Sequence, residues 1–333
     1  MKNLILIMTA VLTLSSCEKV LFKPDLGSKD PLTNFDYLWN EVDKKYSYFE
    51  LKNIDWDAIK TKYRSKLSSN SSEEELFSVL ADMLKELKDD HTNLISPFNI
   101  SRYDIRLQNP DNIYFRTIQK HYIPDLWFSE SGLAHGFLDN NKIGYILYNS
   151  FMTNFSDDDM DLILNRYKNT NGIIIDLRGN GGGQLTNVTR LLGRFIETKT
   201  LAAYTITRNG EKRNQFGSKQ PFYITPHKGL RYSKPIVVLT DRGSYSASTF
   251  FALATKALPN FTLIGDTTGG GGGMPNGGQL PNGWTYRFSI CQLLDLNGNN
   301  YAEAGVPPRI NVAFDWSDLT KDVILDRAIL ELQ

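Results

Sequence analysis

The chain has 333 residues, of which 41% are hydrophobic and 22% charged, enough for one large core or a core with a small satellite domain. Thirty-seven basic residues balance thirty-seven acidic ones, so the formal net charge is zero. This balance, with no finger motif or basic stripe, argues against binding to nucleic acid. It permits a homo-oligomer without requiring one.

The first residues indicate export. An apolar run from Leu4 to Leu14 is too short to span a bilayer and is typical of a signal-peptide core. It leads into Ser15-Ser16-Cys17, which resembles a bacterial lipobox, in which the cysteine is lipidated and becomes the mature N-terminus. We therefore predict a signal peptide over 1–16, lipidation at Cys17 and a polar tether over 17–29. A plain secretory signal is the alternative.

These features predict a lipoprotein that is anchored in a membrane of the cell envelope, on the periplasmic face or the cell surface. Cys291 would then be the only thiol of the mature chain, apart from the lipidated cysteine. We therefore expect no disulfide within the chain.

Residues 30–95 are predicted to form a small helical domain. Apolar side chains recur at helical spacing in two segments, and a third opens with Ser72 and Glu75 in a capping-box relation. Residues 96–333 are predicted to form an α/β core, because short apolar strands alternate with helices after residue 142. The predicted strands are 143–148, 172–177, 235–240, 261–265, 284–293 and 310–314, and the predicted helices are 156–167, 185–196, 246–258 and 318–332.

A serine-rich segment follows the predicted strand 235–240. Ser246 stands at the first turn of the next helix, where free backbone N–H groups and the helix dipole favour developing negative charge. The N–H of Ala247 could donate to an oxyanion. Ser244, Ser246 and Ser248 could equally be helix caps, and the local sequence alone favours that interpretation.

The predicted strand 172–177 ends in a glycine-rich turn, Arg178-Gly179-Asn180-Gly181-Gly182-Gly183. The turn lacks the endings of a phosphate loop or a dinucleotide fingerprint. An oxyanion donor at Gly181 or Gly182 fits better.

His91 directly follows the third predicted helix, and a lone histidine there is more often structural than catalytic. No two histidines have metal-ligand spacing, so we expect no metal and no cofactor. Glu303, taken alone, is expected to be a surface residue.

Together these segments resemble the tail-specific, or C-terminal processing, serine peptidases, whose catalytic core is shared with the tricorn protease. Three segments carry most of the resemblance: Asp89-Asp90-His91-Thr92, the run from Ile174 to Gly183, and Gly243-Ser244-Tyr245-Ser246-Ala247-Ser248. The segments from Ile264 to Gly270 and from Glu303 to Pro308 match its downstream elements, so the resemblance covers about residues 30–332. It implies a crotonase/ClpP-like catalytic core after an N-terminal helical bundle.

The sequence departs from the Ser-Lys members of that family. Thr249 replaces their glutamate, and Gly270 stands where their lysine would be. The resemblance therefore points to the tricorn-like branch, with Ser246 as nucleophile, His91 as base and Glu303 as the residue that orients the base. About fifty residues separate Thr92 from Ile143, which leaves no room for the PDZ domain that many members insert.

The predicted function is hydrolysis of peptides or unfolded proteins in the cell envelope. A non-catalytic ligand- or peptide-binding protein on the same fold is the first alternative, because fold alone does not establish hydrolysis. An esterase is the second, although the chain lacks a Gly-x-Ser-x-Gly elbow.

Overall fold

The computed structural model describes residues 27–103 and 112–333, and within them the fold is mixed α/β. The predicted signal peptide, Cys17 and most of the tether lie outside these residues. The helices are α1 Pro31–Lys45, α2 Trp56–Arg64, α3 Glu73–Lys85, α4 Phe115–Thr117, α5 Asp157–Arg166, α6 Leu185–Gly193, α7 Ala247–Thr255 and α8 Val323–Glu331, with a π-helical turn Ile118–Tyr122 after α4. In the described part of the chain, no helix is long and apolar enough to cross a membrane.

The strands form three sheets. They are β1 Asn93–Ile95, β2 Ile100–Arg102, β3 Trp127–Phe128, β4 Ala134–Leu138, β5 Ile143–Leu147, β6 Gly172–Asp176, β7 Thr200–Thr207, β8 Gln220–Ile224, β9 Ile236–Thr240, β10 Phe261–Gly265, β11 Pro275–Gln279, β12 Thr285–Ser289, β13 Cys291–Leu294 and β14 Ile310–Asn311. The largest sheet has the order β14-β10-β9-β6-β5-β4-β3. From β5 to β14 its strands are parallel, whereas β4 and β3 add antiparallel strands at one edge.

The parallel strands β5, β6 and β9 are buried at every position, which explains their continuous apolar sequences. Helices α5, α6 and α7 cover one face with side chains such as Met160, Val188 and Phe251. Helix α8 covers the other face with Ile324, Leu325 and Ala328. This layering places the carboxyl ends of β6 and β9, and the loops that follow them, at one edge of the sheet.

Helices α1 to α3 begin where the sequence offers side-chain caps. Asp30, Asp55 and Ser72 each accept a hydrogen bond from a backbone N–H of the first turn, and Ser72 and Glu75 form the predicted capping box. The apolar faces of the three helices pack together with Leu280, Trp284, Tyr286 and Phe288, which come from the other end of the chain. The helices and the β11–β12 hairpin thus share one core.

Two predicted elements differ from the structure. The predicted helix 318–332 begins only at Val323, because Asp322 caps it and Asp318 forms a local turn with Thr320. The extended segment 284–293 is two strands, β12 and β13, which belong to different sheets and are separated at Ile290.

Candidate active site

Ser246 lies in the turn between β9 and α7, at the position before the first helical residue. Its Oγ lies 2.9 Å from Nε2 of His91, although the two residues are 155 positions apart in the chain. Its side chain does not cap α7, so the helix-cap interpretation does not hold for this serine. Its φ of 56° is in the left-handed region that β-carbon-bearing residues rarely adopt, and its N–H donates to the carbonyl of Gly270 at 2.9 Å.

The neighbouring serines have structural roles. The Oγ of Ser244 donates to the carbonyl of Leu177 at 2.7 Å, and the Oγ of Ser248 donates to the carbonyl of Asn180 at 2.8 Å. Both bonds fasten the Ser246 turn to the glycine-rich turn after β6. Ser246 alone among the three turns its hydroxyl to a histidine.

His91 lies between α3 and β1, and its side chain is buried against Tyr245, with ring centroids 5.1 Å apart. The backbone N–H of His91 donates to Oδ1 of Asp89 at 2.9 Å. Burial lowers the pKa of the imidazole, Asp89 and Asp90 oppose that shift, and Arg287 reinforces it. The net lowering keeps the ring neutral near pH 7, which is the form that can accept a proton.

Glu303 is buried, with only 6% of its side chain exposed, so the expectation of a surface residue is wrong. Burial and the nearby Asp89 carboxylate raise the pKa of Glu303 to about 8, and Lys52 opposes that rise. Its Oε1 lies 2.6 Å from Nζ of Lys52, so the hydrogen-bonding partner of this carboxylate is a lysine and not His91.

Lys52, which no pattern in the sequence singles out, joins three segments of the site. Besides its ion pair with Glu303, its Nζ donates to the carbonyls of Leu87 and Lys88, at 3.2 and 3.0 Å. Those carbonyls immediately precede the Asp89–His91 turn. The lysine therefore links the loop after α1 to the histidine turn and to the Glu303 loop.

Several buried polar atoms at or near His91 have no hydrogen-bond partner among the described residues. They include Nδ1 of His91, Oδ2 of Asp89, Oε2 of Glu303 and the hydroxyl of Tyr48. Buried polar groups normally have hydrogen-bond partners, so a concentration of such atoms beside a histidine is a sign of a functional site.

The glycine-rich turn packs directly against the serine. A Cβ on Gly182 would lie 2.8 Å from both the Cβ of Ser246 and the N of Ala247, and the φ of Gly182 is 93°. The N–H of Gly182 donates to Oδ1 of Asn180 at 2.9 Å and is therefore already used. Of the two donors predicted on this turn, Gly181 therefore remains. The other predicted donor is the N–H of Ala247, at the first position of α7.

Gly270 also contacts the site through its backbone. A Cβ there would lie 2.1 Å from the carbonyl oxygen of Glu303, and its φ is 91°. A lysine at this position would therefore require the Glu303 loop to move.

Ser246 and His91 open into a cleft of about 1170 Å³. It is lined by the glycine-rich turn, by residues of strands β1, β11 and β12, and by Asn149, Ser150 and Met152. Pro275, Gly277 and Gly278 are the residues of β11 that line it. Within 27–103 and 112–333, no group of three or more His, Cys, Asp or Glu side chains could hold a metal ion.

Comparison with known proteins identifies relatives of both parts of the chain. Residues 142–312 match the model of peptidase family S41, and residues 28–85 match that of the tricorn protease C1 domain. A crystal structure of a protein from Parabacteroides merdae, assigned as a peptidase, is 36% identical with a TM-score of 0.86. That match covers 92% of this chain and 97% of the other.

More distant relatives are also proteases. The carboxy-terminal processing protease CtpB of Bacillus subtilis is 28% identical over 176 residues, which are 53% of this chain and 35% of CtpB. The match thus covers about a third of that relative's length. The tricorn protease shares the fold, with a TM-score of 0.55 at 17% identity over 91% of this chain and 36% of that one. The chain belongs to peptidase family S41, a family of serine peptidases.

Proposed function

We propose that this protein hydrolyses peptide bonds with Ser246 as nucleophile and His91 as general base. The observation that carries the proposal is the 2.9 Å contact between Oγ of Ser246 and Nε2 of His91. A serine hydroxyl is a weak nucleophile at its ordinary pKa, so it needs a base within hydrogen-bond reach. A buried imidazole whose pKa lies below its usual value meets that need at neutral pH.

The chemistry follows from the positions of these groups. As Oγ attacks the peptide carbonyl, its proton passes to Nε2 of His91, and the carbonyl oxygen gains negative charge. The N–H groups of Ala247 and Gly181 are the donors that would stabilise this oxyanion. His91 then returns the proton to the leaving amine, and a water molecule releases the acyl group by the same steps.

The carboxylates behind His91 would stabilise the imidazolium that forms during attack. Asp89 is the main charge that raises the pKa of His91, and Glu303 lies close enough to Asp89 to feel its charge. We assign Glu303 the orienting role and Lys52 a positioning role, because the lysine opposes the rise in the pKa of Glu303.

The site belongs, in this proposal, to a crotonase-like core that follows a helical bundle and carries no PDZ domain. The substrates would be peptides or unfolded proteins of the cell envelope, since the first residues resemble a lipobox that would anchor the protein through Cys17. The cleft of about 1170 Å³ would then select substrates. A homo-oligomer is compatible with this arrangement.

The test is cleavage of denatured casein by the purified protein and by two variants. Ser246→Ala and His91→Ala should each lower kcat/KM by ~10⁴-fold or more, because both members of such a pair are needed. Ser233→Ala is the matched control for the serine, since Ser233 is exposed and does not line the cleft. Cleavage retained in Ser246→Ala would contradict the assignment of the nucleophile.

A fluorophosphonate probe and an ester substrate separate the alternatives. Labelling of folded protein that is lost in Ser246→Ala supports the activated serine. Folded protein that is not labelled would favour a non-catalytic binding protein. Turnover of a p-nitrophenyl ester without any cleavage of casein would favour an esterase.

A further inference from the structure

The antiparallel sheet β11-β12-β1-β2 has two different faces. One face carries Leu94, Tyr286 and Phe288, which are buried against helices α1 to α3. Because side chains alternate along a strand, the residues between them point the other way. That second face includes Asn93, Ile95, Thr285 and Arg287, all of which line the cleft over Ser246.

Strand register brings two arginines together on the cleft face. Asn93 of β1 pairs with Arg287 on one side and with Arg102 on the other. Directly paired residues share a face, so both arginine side chains leave the sheet in the same direction. With one strand between them, their Cα atoms are on the order of 10 Å apart. Both side chains are exposed, and both line the cleft.

Arg287 also contacts a residue of the site. Nε of Arg287 donates to the carbonyl oxygen of His91 at 3.2 Å, so this guanidinium is held against the backbone of the proposed base. That bond leaves its two terminal nitrogens for another partner. Neither arginine is among the ion pairs that join described residues to one another.

The charges that line the cleft are unbalanced. Besides His91, the charged side chains along its described wall are Asp90, Arg102 and Arg287. The site is therefore electropositive on the side of β2 and β12, while the chain as a whole is neutral. Two guanidinium groups in a cleft favour the binding of an anion with planar, paired oxygens.

We propose that Arg102 and Arg287 form a subsite for a substrate carboxylate next to the scissile bond. This inference rests on the proposed function, and it adds the class of substrate: peptides with an acidic side chain, or a free carboxyl end, near the cleaved bond. The two sources offer the same group to the same guanidinium donors. Neutral peptides would enter the cleft without this contact.

Binding to the Ser246→Ala variant tests the subsite without requiring hydrolysis. The probes are four short fluorescent peptides of one sequence, with Glu or Gln at the central position and a free or amidated C-terminus. We expect the preferred carboxylate form to bind about tenfold more tightly than its neutral counterpart, a typical value for a charge-assisted contact. Raised salt should reduce the preference.

Two further substitutions in that variant assign the preference to the arginines. Arg102→Gln and Arg287→Gln should each lower the ratio of affinities to about threefold or less. Arg102→Gln is the cleaner of the two, because Arg287 also contacts the carbonyl of His91. Arg309→Gln, in an exposed ion pair with Glu331, is the matched control and should preserve the ratio.

The outcomes are distinct. Loss of preference on changing Glu to Gln identifies a side-chain carboxylate, and loss on amidation identifies the carboxyl end; either supports the subsite. Equal affinity for all four peptides overturns it, as does a preference that survives in the Arg102→Gln, Arg287→Gln double variant. Because Ser246 is absent throughout, failure of the subsite is not confused with a wrong nucleophile.

Discussion

Two buried clusters of charge in this protein are built on opposite principles. At the end of β6, Arg178 donates to both oxygens of Asp176, at 2.9 and 2.6 Å, and to Asp322 at 3.0 Å. All three side chains are completely buried. In the cluster of Lys52, Glu303 and Asp89 beside His91, the lysine forms an ion pair with Glu303 alone among the described residues. Asp89 accepts from the backbone N–H of His91, and its charge raises the pKa of Glu303.

The first cluster supports the fold of a turn, and the second lies among the residues of the candidate active site. The Arg178 cluster fixes the turn on which Gly181 and Gly182 lie, and its guanidinium is surrounded by acceptors that include the carbonyl of Asn112. In the Glu303 cluster, burial and the neighbouring Asp89 carboxylate disfavour the charge of Glu303, and Lys52 offsets this only in part. Such a site is less stable than it could be, and its charge can respond when His91 gains a proton.

The largest effect on folding should come from the first cluster. Arg178→Met leaves Asp176 and Asp322 as uncompensated buried charges, so the free energy of unfolding should fall by about 3–5 kcal/mol. Urea denaturation followed by circular dichroism measures it. Arg190→Met, which breaks an exposed ion pair with Asp157, is the control and should cost less than about 1 kcal/mol. Equal losses in both variants would contradict the supporting role of Arg178.

A substitution in the second cluster should lower activity. Glu303→Gln keeps the shape and one acceptor but removes the charge, so kcat/KM should fall by ~10²–10³-fold, as when one charge-stabilising group is lost. The free energy of unfolding near pH 7 should change little. Burial raises the pKa of Glu303 to about 8, so the wild-type carboxyl is largely uncharged at that pH, as the amide of the variant is. Unchanged kcat/KM in this variant would exclude Glu303 from the catalytic group.

The smallest effect, and the most specific one, is expected for Lys52→Met. Lys52 opposes the rise in the pKa of Glu303, so its removal should move that pKa above about 8. If the ionised carboxylate is the active form, activity appears as Glu303 loses its proton. The acid limb of the kcat/KM profile should therefore move to higher pH, and activity at pH 7 should fall about tenfold for every pH unit that the limb moves.

The groups that face Glu303 must be considered in that experiment, and they come from several elements. They are Lys52, Asp89, Tyr46, Tyr48, Tyr245 and Cys291. Burial raises the pKa of Cys291 to about 11 and those of the tyrosines further, so none of these four should ionise across the limb. Lys62→Met, which breaks the exposed pair with Glu86, is the control. If kcat/KM of Lys52→Met is lower but the acid limb of its pH profile does not move, Lys52 has only a structural role.

Local sequence was sufficient for the parallel strands of the large sheet, the first three helices and the order of the motifs. It did not predict β1 to β4, β7, β8 or β11. The buried parallel strands are continuous apolar runs, and Ser72 with Glu75 defines a helix start without any tertiary information. Ser246 and His91 were paired through the family resemblance, and the structure brings them within hydrogen-bond distance. In isolation, both had ordinary alternative explanations.

The remaining site residues depend on contacts between distant segments. Lys52 is one of many lysines in the helical region, and only its approach to Glu303 distinguishes it. Glu303 resembles a surface residue until the loops around it are assembled. Arg102 and Arg287 are neighbours only through the register of β2, β1 and β12, which no local pattern specifies.

The distance along the chain between Ser246 and His91 has a consequence for biosynthesis. His91 follows the early helical region, whereas β11 and β12, which complete the core around those helices, are made after Ser246. Glu303 is made later still. A ribosome-bound chain thus cannot form the assembled site until nearly all of it has been synthesised. In the function proposed here, the unfinished peptidase would be harmless to its own nascent chain and to its neighbours.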